Sequence, residues 1–300
     1  MTEHNSLRVS FIGLGTMGFP MAGHLSRHGH EVVVYNRNSE KAKRWQGLYA
    51  GDIANTPAEA AVNADAVMLC VGNDSDVREV TLGQQGVLES MQPGSILIDH
   101  TTTSERIAIE LADACAKRGV AFLDAPVSGG QAGAENGQLT IMVGGEEDAL
   151  TRGLPVLSCY AKRVERIGGA GAGQLAKMVN QICIAGIVQG LSEALYFGEK
   201  AGLDCEAVIR AISQGAAQSW QMENRYKTML SGDFDFGFAV DWMRKDLGIT
   251  LDAAKTIDAP LPLTTLVDTF YSEVQAMGGG RWDTSSLIAR LRHKDNSSLN

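Results

Sequence analysis

A glycine-spaced hexad, Gly13-Leu14-Gly15-Thr16-Met17-Gly18, constrains this chain more than any other stretch. It follows an apolar run, Leu7 to Ile12, and opens a segment of helical spacing, Met17 to His28. That order predicts a strand, a tight turn and a helix. Glycines let the backbone turn sharply and approach a ligand closely, and the helix N-terminus offers N–H groups and a partial positive charge to a pyrophosphate. Hexads of this kind arise by chance in a chain with 34 glycines, so the flanking strand and helix carry the reading. Gly13, Leu14, Gly15, Thr16, Met17 and Gly18 are therefore expected to contact a dinucleotide.

Strand-like and helix-like segments alternate as far as Ile167. Glu31 to Tyr35, Ala64 to Val71, Ser95 to Asp99, Val120 to Leu123, Leu139 to Val143 and Arg163 to Ile167 read as strands, and Ser104 to Lys117 as a helix. Such alternation predicts parallel strands joined by crossover helices, a doubly wound α/β sheet of the Rossmann type over residues 1–168. After the glycine-rich stretch 168–173 the pattern changes. Gln174 to Ala201 contains no proline and would form one helix of about 40 Å at ~1.5 Å per residue. Its middle is apolar on nearly all faces, as a buried helix is. Cys205 to Ser213, Trp220 to Leu230, Ala239 to Lys255 and Pro262 to Met277 also read as helices. Gly278 to Gly280 reads as a loop before the last helix, and His293 to Asn300 as a polar tail. Residues 169–300 are thus expected to form an all-helical domain.

Three hundred residues suffice for one or two domains. A net charge of −9 argues against nucleic acid or an anionic membrane as the main partner. The apolar run Ile182 to Leu191 is too short for a membrane span of about 20 residues. Met1 to Ser6 lacks the apolar core of a signal peptide. Cys70, Cys115, Cys159, Cys183 and Cys205 show no metal-ligand spacing, so no metal is expected, and buried reduced thiols in a cytoplasmic protein are. His24, His28 and His30 lie on different faces and read as surface residues. Glu146-Glu147-Asp148 reads as an acidic helix start. Trp220, Trp242, Phe234, Phe236 and Phe238 read as core or subunit packing, with Phe238 the best candidate to line a pocket.

The cofactor's phosphate content is legible at the end of the second strand. An NAD site places an acid there, about 20 residues past the glycines, to bond the ribose hydroxyls. Here the chain reads Tyr35-Asn36-Arg37-Asn38. Asn36 can bond a ribose without repelling a phosphate, and Arg37 can pair with a 2′-phosphate. NADP is the expected cofactor, with NAD the alternative.

Four motifs in order resemble the β-hydroxyacid dehydrogenase family, which includes 3-hydroxyisobutyrate dehydrogenases, tartronate semialdehyde reductases and glyoxylate/succinic semialdehyde reductases. They are Phe11 to Ala22; Asp124-Ala125-Pro126-Val127-Ser128-Gly129-Gly130 with Gly144-Gly145; Gly171 to Gln181; and Lys245-Asp246-Leu247. The resemblance implies that Ser128, Gly129 and Gly130 grip a substrate carboxylate, a role that a hydroxyl and unhindered N–H groups suit. It implies that Lys177 is the catalytic acid and base. A lysine near the start of an apolar helix is also disfavoured as a cation, which would lower its pKa. Asn180 and Gln181, three and four residues on, share its face and are expected to bind substrate or orient the lysine. Many relatives carry Asn-Asn where this chain has Asn180-Gln181; tartronate semialdehyde reductases resemble it in having Asn-Gln. The resemblance also gives Lys245 and Thr102 as cofactor contacts, with Thr101 competing and the Val71-Gly72-Asn73 loop departing from the Leu-Pro of relatives. By itself Lys245-Asp246 reads as an exposed helix face.

The function expected is hydride transfer between a nicotinamide and a small β-hydroxy acid or its semialdehyde, a small carboxylate substrate. Two alternatives stand beside it: an imine reductase-like enzyme, and a catalytically silent NADP-binding sensor or assembly module. The apolar long helix needs cover, and the relatives associate through their helical halves, so a homodimer or homotetramer is expected.

Overall fold

The structure, a computed structural model, describes residues 6–297. The first five residues and the last three, with most of the Met1 to Ser6 stretch and the end of the polar tail, lie outside the described residues. One compact unit runs through Lys177 and a second begins at Met178.

The first unit is a sheet covered by helices. Its strands are β1 (Arg8–Ile12), β2 (Glu31–Tyr35), β3 (Asp52–Ile53), β4 (Ala66–Leu69), β5 (Ile96–Asp99), β6 (Ala121–Asp124), β7 (Val127–Ser128), β8 (Leu139–Gly145) and β9 (Ala161–Gly168). Its helices are α1 (Gly18–Arg27), α2 (Ser39–Gln46), α3 (Pro57–Ala60), α4 (Asp74–Leu82), α5 (Glu105–Ala116), α6 (Gly130–Glu135) and α7 (Glu147–Leu157). The strand order is β3-β2-β1-β4-β5-β6-β8-β7, with β9 on β8. The first six strands are parallel, as the alternation of the sequence predicts. The rest corrects a wholly parallel reading: β8 runs antiparallel to β6 and β7, and β9 runs parallel to β8.

Period-2 side-chain alternation divides each apolar strand between two cores. Val9, Phe11, Val32, Val34, Met68 and Ile98 pack on one face against Met21 and Leu25 of α1, Trp45 of α2 and Leu157 of α7. Ile12, Val33, Val67, Leu69 and Leu97 pack on the other against Val77 of α4 and Ile107 and Leu111 of α5. Side-chain caps fix several helix starts: Asn38 for α2, Thr56 for α3, Asn73 for α4 and Ser104 for α5. In the register, Tyr35, Ile12, Leu69, Asp99 and Asp124 form one row at the carboxyl ends of neighbouring strands. The loops that follow them therefore leave the sheet along a single edge.

Helix α8 (Ala172–Lys200) runs for 29 residues, as the proline-free stretch predicts. Its length and composition would suit a membrane span, which corrects the expectation drawn from Ile182 to Leu191 alone. Of its most apolar stretch 44% is buried within the protein, while Val179, Cys183 and Ile187 remain exposed, so α8 is only partly the buried helix that its composition predicts. In the second unit, α8 is followed by α9 (Cys205–Ile212), α10 (Trp220–Ser231), α11 (Val240–Thr256), α12 (Pro262–Ala276) and α13 (Leu287–Ser297). Ala185 and Val188 of α8 pack with Val240, Met243 and Leu247 of α11 and Val267 and Tyr271 of α12. Leu191 and Leu195 form a second cluster with Ile209, Met222, Met229 and Phe234. Trp220 and Trp242 are exposed rather than packed in this core, and so is Cys183. His24 and His30 are half-buried tethers rather than solvated: the His24 ring contacts the Ala134 carbonyl at 3.0 Å, and His30 Nδ1 accepts from the Leu7 N–H at 3.2 Å.

A buried histidine gives the first unit a measurable pH response. His100 Nδ1 lies 2.7 Å from the Ala125 carbonyl, which can only accept, so Nδ1 carries the proton; Nε2, 2.9 Å from the Tyr160 hydroxyl, accepts. Burial lowers its pKa to about 4, the bond to Ala125 opposing. The unfolded chain takes up this proton near pH 6.5 and the folded protein only near pH 4, so stability is lost as pH falls through that window. Asp124, raised to about 6 by burial, contributes the opposite slope between its unfolded value and pH 6, so the clean comparison is with a variant. His100→Gln keeps a donor and an acceptor without the titration. Between about pH 7 and about pH 5, the stability advantage of the unsubstituted protein over this variant should shrink by about 2 kcal/mol in denaturant melts. An advantage that does not change with pH would contradict this assignment.

Candidate active site

The glycine loop sits at the edge where the strands end. Gly13 has φ +99°, and a Cβ there would collide with the Cys70 carbonyl; a Cβ on Gly18 would collide with the Gly13 carbonyl. Both are glycine because of the protein's own packing. Gly15 differs, since a Cβ there would meet nothing within 4 Å. The loop is pinned by the Gly13 N–H to the Tyr35 carbonyl at 2.9 Å, and by the Leu14 N–H to Asn36 Oδ1 at 2.8 Å. Asn36 also donates to the Asn38 carbonyl at 2.9 Å, so much of its side chain holds the loop. Helix α1 has no side-chain cap and no acid in its first turn, unlike α2, α4 and α5. Its N-terminal N–H groups can therefore receive an anion. Arg37 projects into solvent, 89% exposed, with Asp76 Oδ1 at 3.5 Å.

The next loops along the edge are tied to one another. Thr101 is buried, and its Oγ1 accepts from the Val71 N–H at 3.1 Å. Thr102 beside it is half-buried. Asn73, in the Val71-Gly72-Asn73 loop, caps α4 by accepting from the Asp76 N–H at 3.0 Å. Gln174, in the first turn of α8, donates to the Thr101 carbonyl at 2.8 Å and accepts from the Thr103 N–H at 3.0 Å, so it clamps the Thr101–Thr103 backbone.

Asp124 fixes where α8 begins. Its carboxylate is fully buried and accepts from the Gly171 N–H at 2.8 Å and the Gln174 N–H at 2.9 Å. Burial pushes its pKa up to about 6 against those same hydrogen bonds, which lower it. Gly173 makes the approach possible: a Cβ there would lie 2.6 Å from the carbonyls of both Asp124 and Met142. One turn later Lys177 is buried, and its Nζ donates to the Val127 carbonyl at 3.0 Å. Val127 precedes Ser128, Gly129 and Gly130. Gly129 at φ +133° and Gly130 at φ +60° require glycine for their backbone. Ser128 is half-buried and both glycines are exposed. Lysine, serine and unhindered backbone therefore occur together, beside the Thr101–Thr103 loop that Gln174 holds.

The second unit carries its own polar chain. Asn180 Nδ2 donates to Gln181 Oε1 at 2.8 Å, and Gln181 Nε2 donates to Asp246 Oδ2 at 2.7 Å. The Lys245 ammonium lies 3.2 Å from Asp246 Oδ1. Asp246 is 2% exposed, which corrects the reading of Lys245-Asp246 as an exposed face; α11 turns this pair inward. Gln181 is buried with both ends of its amide engaged, whereas Asn180 is half-buried. Phe238 is half-buried against the α8–α11–α12 cluster, and its N–H donates to Asp283 Oδ2 at 2.9 Å.

Comparison with known proteins agrees with this arrangement. Residues 8–169 match the family described as the NAD binding domain of 6-phosphogluconate dehydrogenase. Residues 171–291 match that described as the NAD-binding region of NADP-dependent 3-hydroxyisobutyrate dehydrogenase. The chain is 61% identical to an oxidoreductase of Shewanella frigidimarina, over 95% of this chain and 98% of that protein. It is 36% identical to 2-(hydroxymethyl)glutarate dehydrogenase of Eubacterium barkeri, over 94% of each. The structure of Mycobacterium tuberculosis 3-hydroxyisobutyrate dehydrogenase with L-serine matches with TM-score 0.87 at 31% identity, covering 96% of this chain and 100% of that one. This chain belongs to the β-hydroxyacid dehydrogenase family.

An NAD(P) cofactor of this family fits the residues present. Gly15 leaves open space where a pyrophosphate must approach, and the uncapped α1 offers N–H groups toward it. Sequence reasoning missed Asp124 and Gln174 as positioning residues, although both stand inside motifs it singled out. Two glycine substitutions separate cofactor space from packing space. Gly15→Ala should leave thermal stability unchanged and weaken NADPH binding at least tenfold in a fluorescence titration. Gly173→Ala should instead unfold at a markedly lower temperature, because two carbonyls block its Cβ. Equal stability of the two variants would contradict the assignment.

Proposed function

We propose that this β-hydroxyacid dehydrogenase transfers a hydride between NADP(H) and a small β-hydroxy acid or its semialdehyde, with Lys177 as general acid and base. The observation that carries the reading is the buried Lys177, whose Nζ is 3.0 Å from the carbonyl immediately before Ser128. In reduction Lys177 donates a proton to the carbonyl oxygen as negative charge develops there; in oxidation it takes the hydroxyl proton. The nicotinamide supplies or accepts the hydride at the carbon of that same group. Ser128 and the Gly129–Gly130 backbone hold the substrate carboxylate, and Asn180 offers its amide to the substrate or to the lysine. Thr102 and Lys245 are assigned to the cofactor side.

NADP is favoured because no acid ends β2 and the exposed Arg37 can meet a 2′-phosphate. We also infer self-association through the helical half: Val179, Cys183, Ile187 and Phe197 of α8 are exposed at spacings of one or two turns or more, and light scattering should read a mass above the 32.0 kDa of one chain.

A positioned acid/base group contributes about 10²–10⁴ in rate. Lys177→Ala should therefore lower kcat at least a hundredfold on a panel of small semialdehydes and hydroxy acids, leaving NADPH affinity nearly unchanged. Near-normal turnover would remove Lys177 from the mechanism. Turnover of cyclic imines alone would favour the imine reductase reading, and NADPH binding without any oxidation would favour a sensor.

A further inference from the structure

We propose that Asp246 and Gln181 are positioning residues that fix which end of the Asn180 amide the active site sees. This rests on the function proposed above for Asn180. An amide oxygen and nitrogen are nearly the same size, so only hydrogen-bond partners decide which way an amide faces. Here the decision starts from a buried charge. The Asp246 carboxylate has no proton to give, so the end of Gln181 at 2.7 Å is its NH₂ group. Gln181 Oε1 must then face Asn180, and it accepts from Asn180 Nδ2 at 2.8 Å. Asn180 is left with its carbonyl oxygen and one N–H to offer, rather than a whole NH₂ group. Lys245 lies 3.2 Å from Oδ1 as an ion pair without hydrogen-bond geometry, and compensates the charge of the carboxylate.

The same chemistry explains why a glutamine stands at position 181. Its extra methylene lets one amide reach α11 while still meeting its neighbour Asn180. Gln181 is 2% exposed with both polar ends used, so it transmits polarity rather than binding substrate.

Asp246→Asn tests the idea sharply, because it reverses the chain without breaking it. The Lys245 ammonium will draw the oxygen of the introduced amide, which turns the new NH₂ toward Gln181. Gln181 then flips to accept, its NH₂ faces Asn180, and Asn180 flips in turn. Every hydrogen bond can survive, but Asn180 now offers the wrong end. A purely structural role for Asp246 therefore leaves activity intact, whereas the positioning role does not. Adding Gln181→Glu restores the original polarity, since a carboxylate at position 181 accepts both from the introduced amide and from Asn180.

The full-length protein and its variants should be compared in kcat/KM, NADPH affinity, and side-chain amide ¹H–¹⁵N spectra assigned to Asn180 and Gln181. Asp246→Asn should lower kcat/KM at least tenfold, keep NADPH affinity within twofold, and shift the Gln181 amide signals. The double variant Gln181→Glu/Asp246→Asn should recover to within threefold of the unsubstituted protein and return the Asn180 signals. Asp246→Asn within twofold of normal, or a double variant no better than it, overturns the proposal. If Asp246→Asn does not fold, Gln181→Met cuts the same chain; it should lose tenfold, and full activity there overturns the proposal equally. Should no hydroxy acid or semialdehyde be turned over at all, the function proposed above fails, and the amide spectra still decide the polarity on their own.

Discussion

The carboxylate of Asp124 is the point on which the placement of Lys177 turns. It ends β6, is wholly buried, and receives the N–H of Gly171, just before α8, and that of Gln174 in the first turn of α8. Removing it from water is costly, which is why its pKa rises to about 6 despite the donors around it. What the charge provides is position. A negative group at a helix N-terminus is favoured by the helix dipole and satisfies donors the helix cannot satisfy itself. With the start of α8 fixed against the sheet, Lys177 falls one turn later, beside the Val127 carbonyl. Gly173 and Gly144 are small because the Asp124 carboxylate and neighbouring carbonyls fill the space a Cβ would need.

The same economy governs the cofactor edge. Parallel strands in register bring their carboxyl ends into one row, so loops from β1, β2, β4, β5 and β6 emerge side by side. These loops are then tied by polar side chains: half-buried Asn36 to the glycine loop, and buried Thr101 to Val71 and Gln174 to the Thr101–Thr103 backbone. Against this ordered background, the open space at Gly15 and the uncapped start of α1 mark where the protein leaves room for something else.

Much of this was legible in the sequence because it is local. The glycine hexad, the strand periodicities and the proline-free α8 each depend on residues close in the chain, and each appears where expected. Residues whose work is done across the chain were harder to see. Asp124 meets Gly171 across 47 positions and Gln174 meets Thr101 across 73, and neither pairing has a local signature. Lys245-Asp246 looked like a solvated pair because adjacent charges usually are; only the placement of α11 against Gln181 turns the carboxylate inward. The antiparallel β7–β8 pairing was hidden by the shortness of β7, two residues that show no periodicity. Trp220 and Trp242 lie outside the core of the single chain, which leaves subunit packing as the part of their reading that one chain does not test.

The central claim is a hydride passing between nicotinamide and the carbon whose oxygen Lys177 serves. Its most direct test is to incubate the protein with NADPH deuterated at the transferring C4 position and a panel of small carboxylate-bearing semialdehydes, and to weigh the products. The account predicts one deuterium bound to the new carbinol carbon of at least one hydroxy acid. Hydroxy acid formed without that deuterium, or no hydroxy acid from any member of the panel, would contradict it.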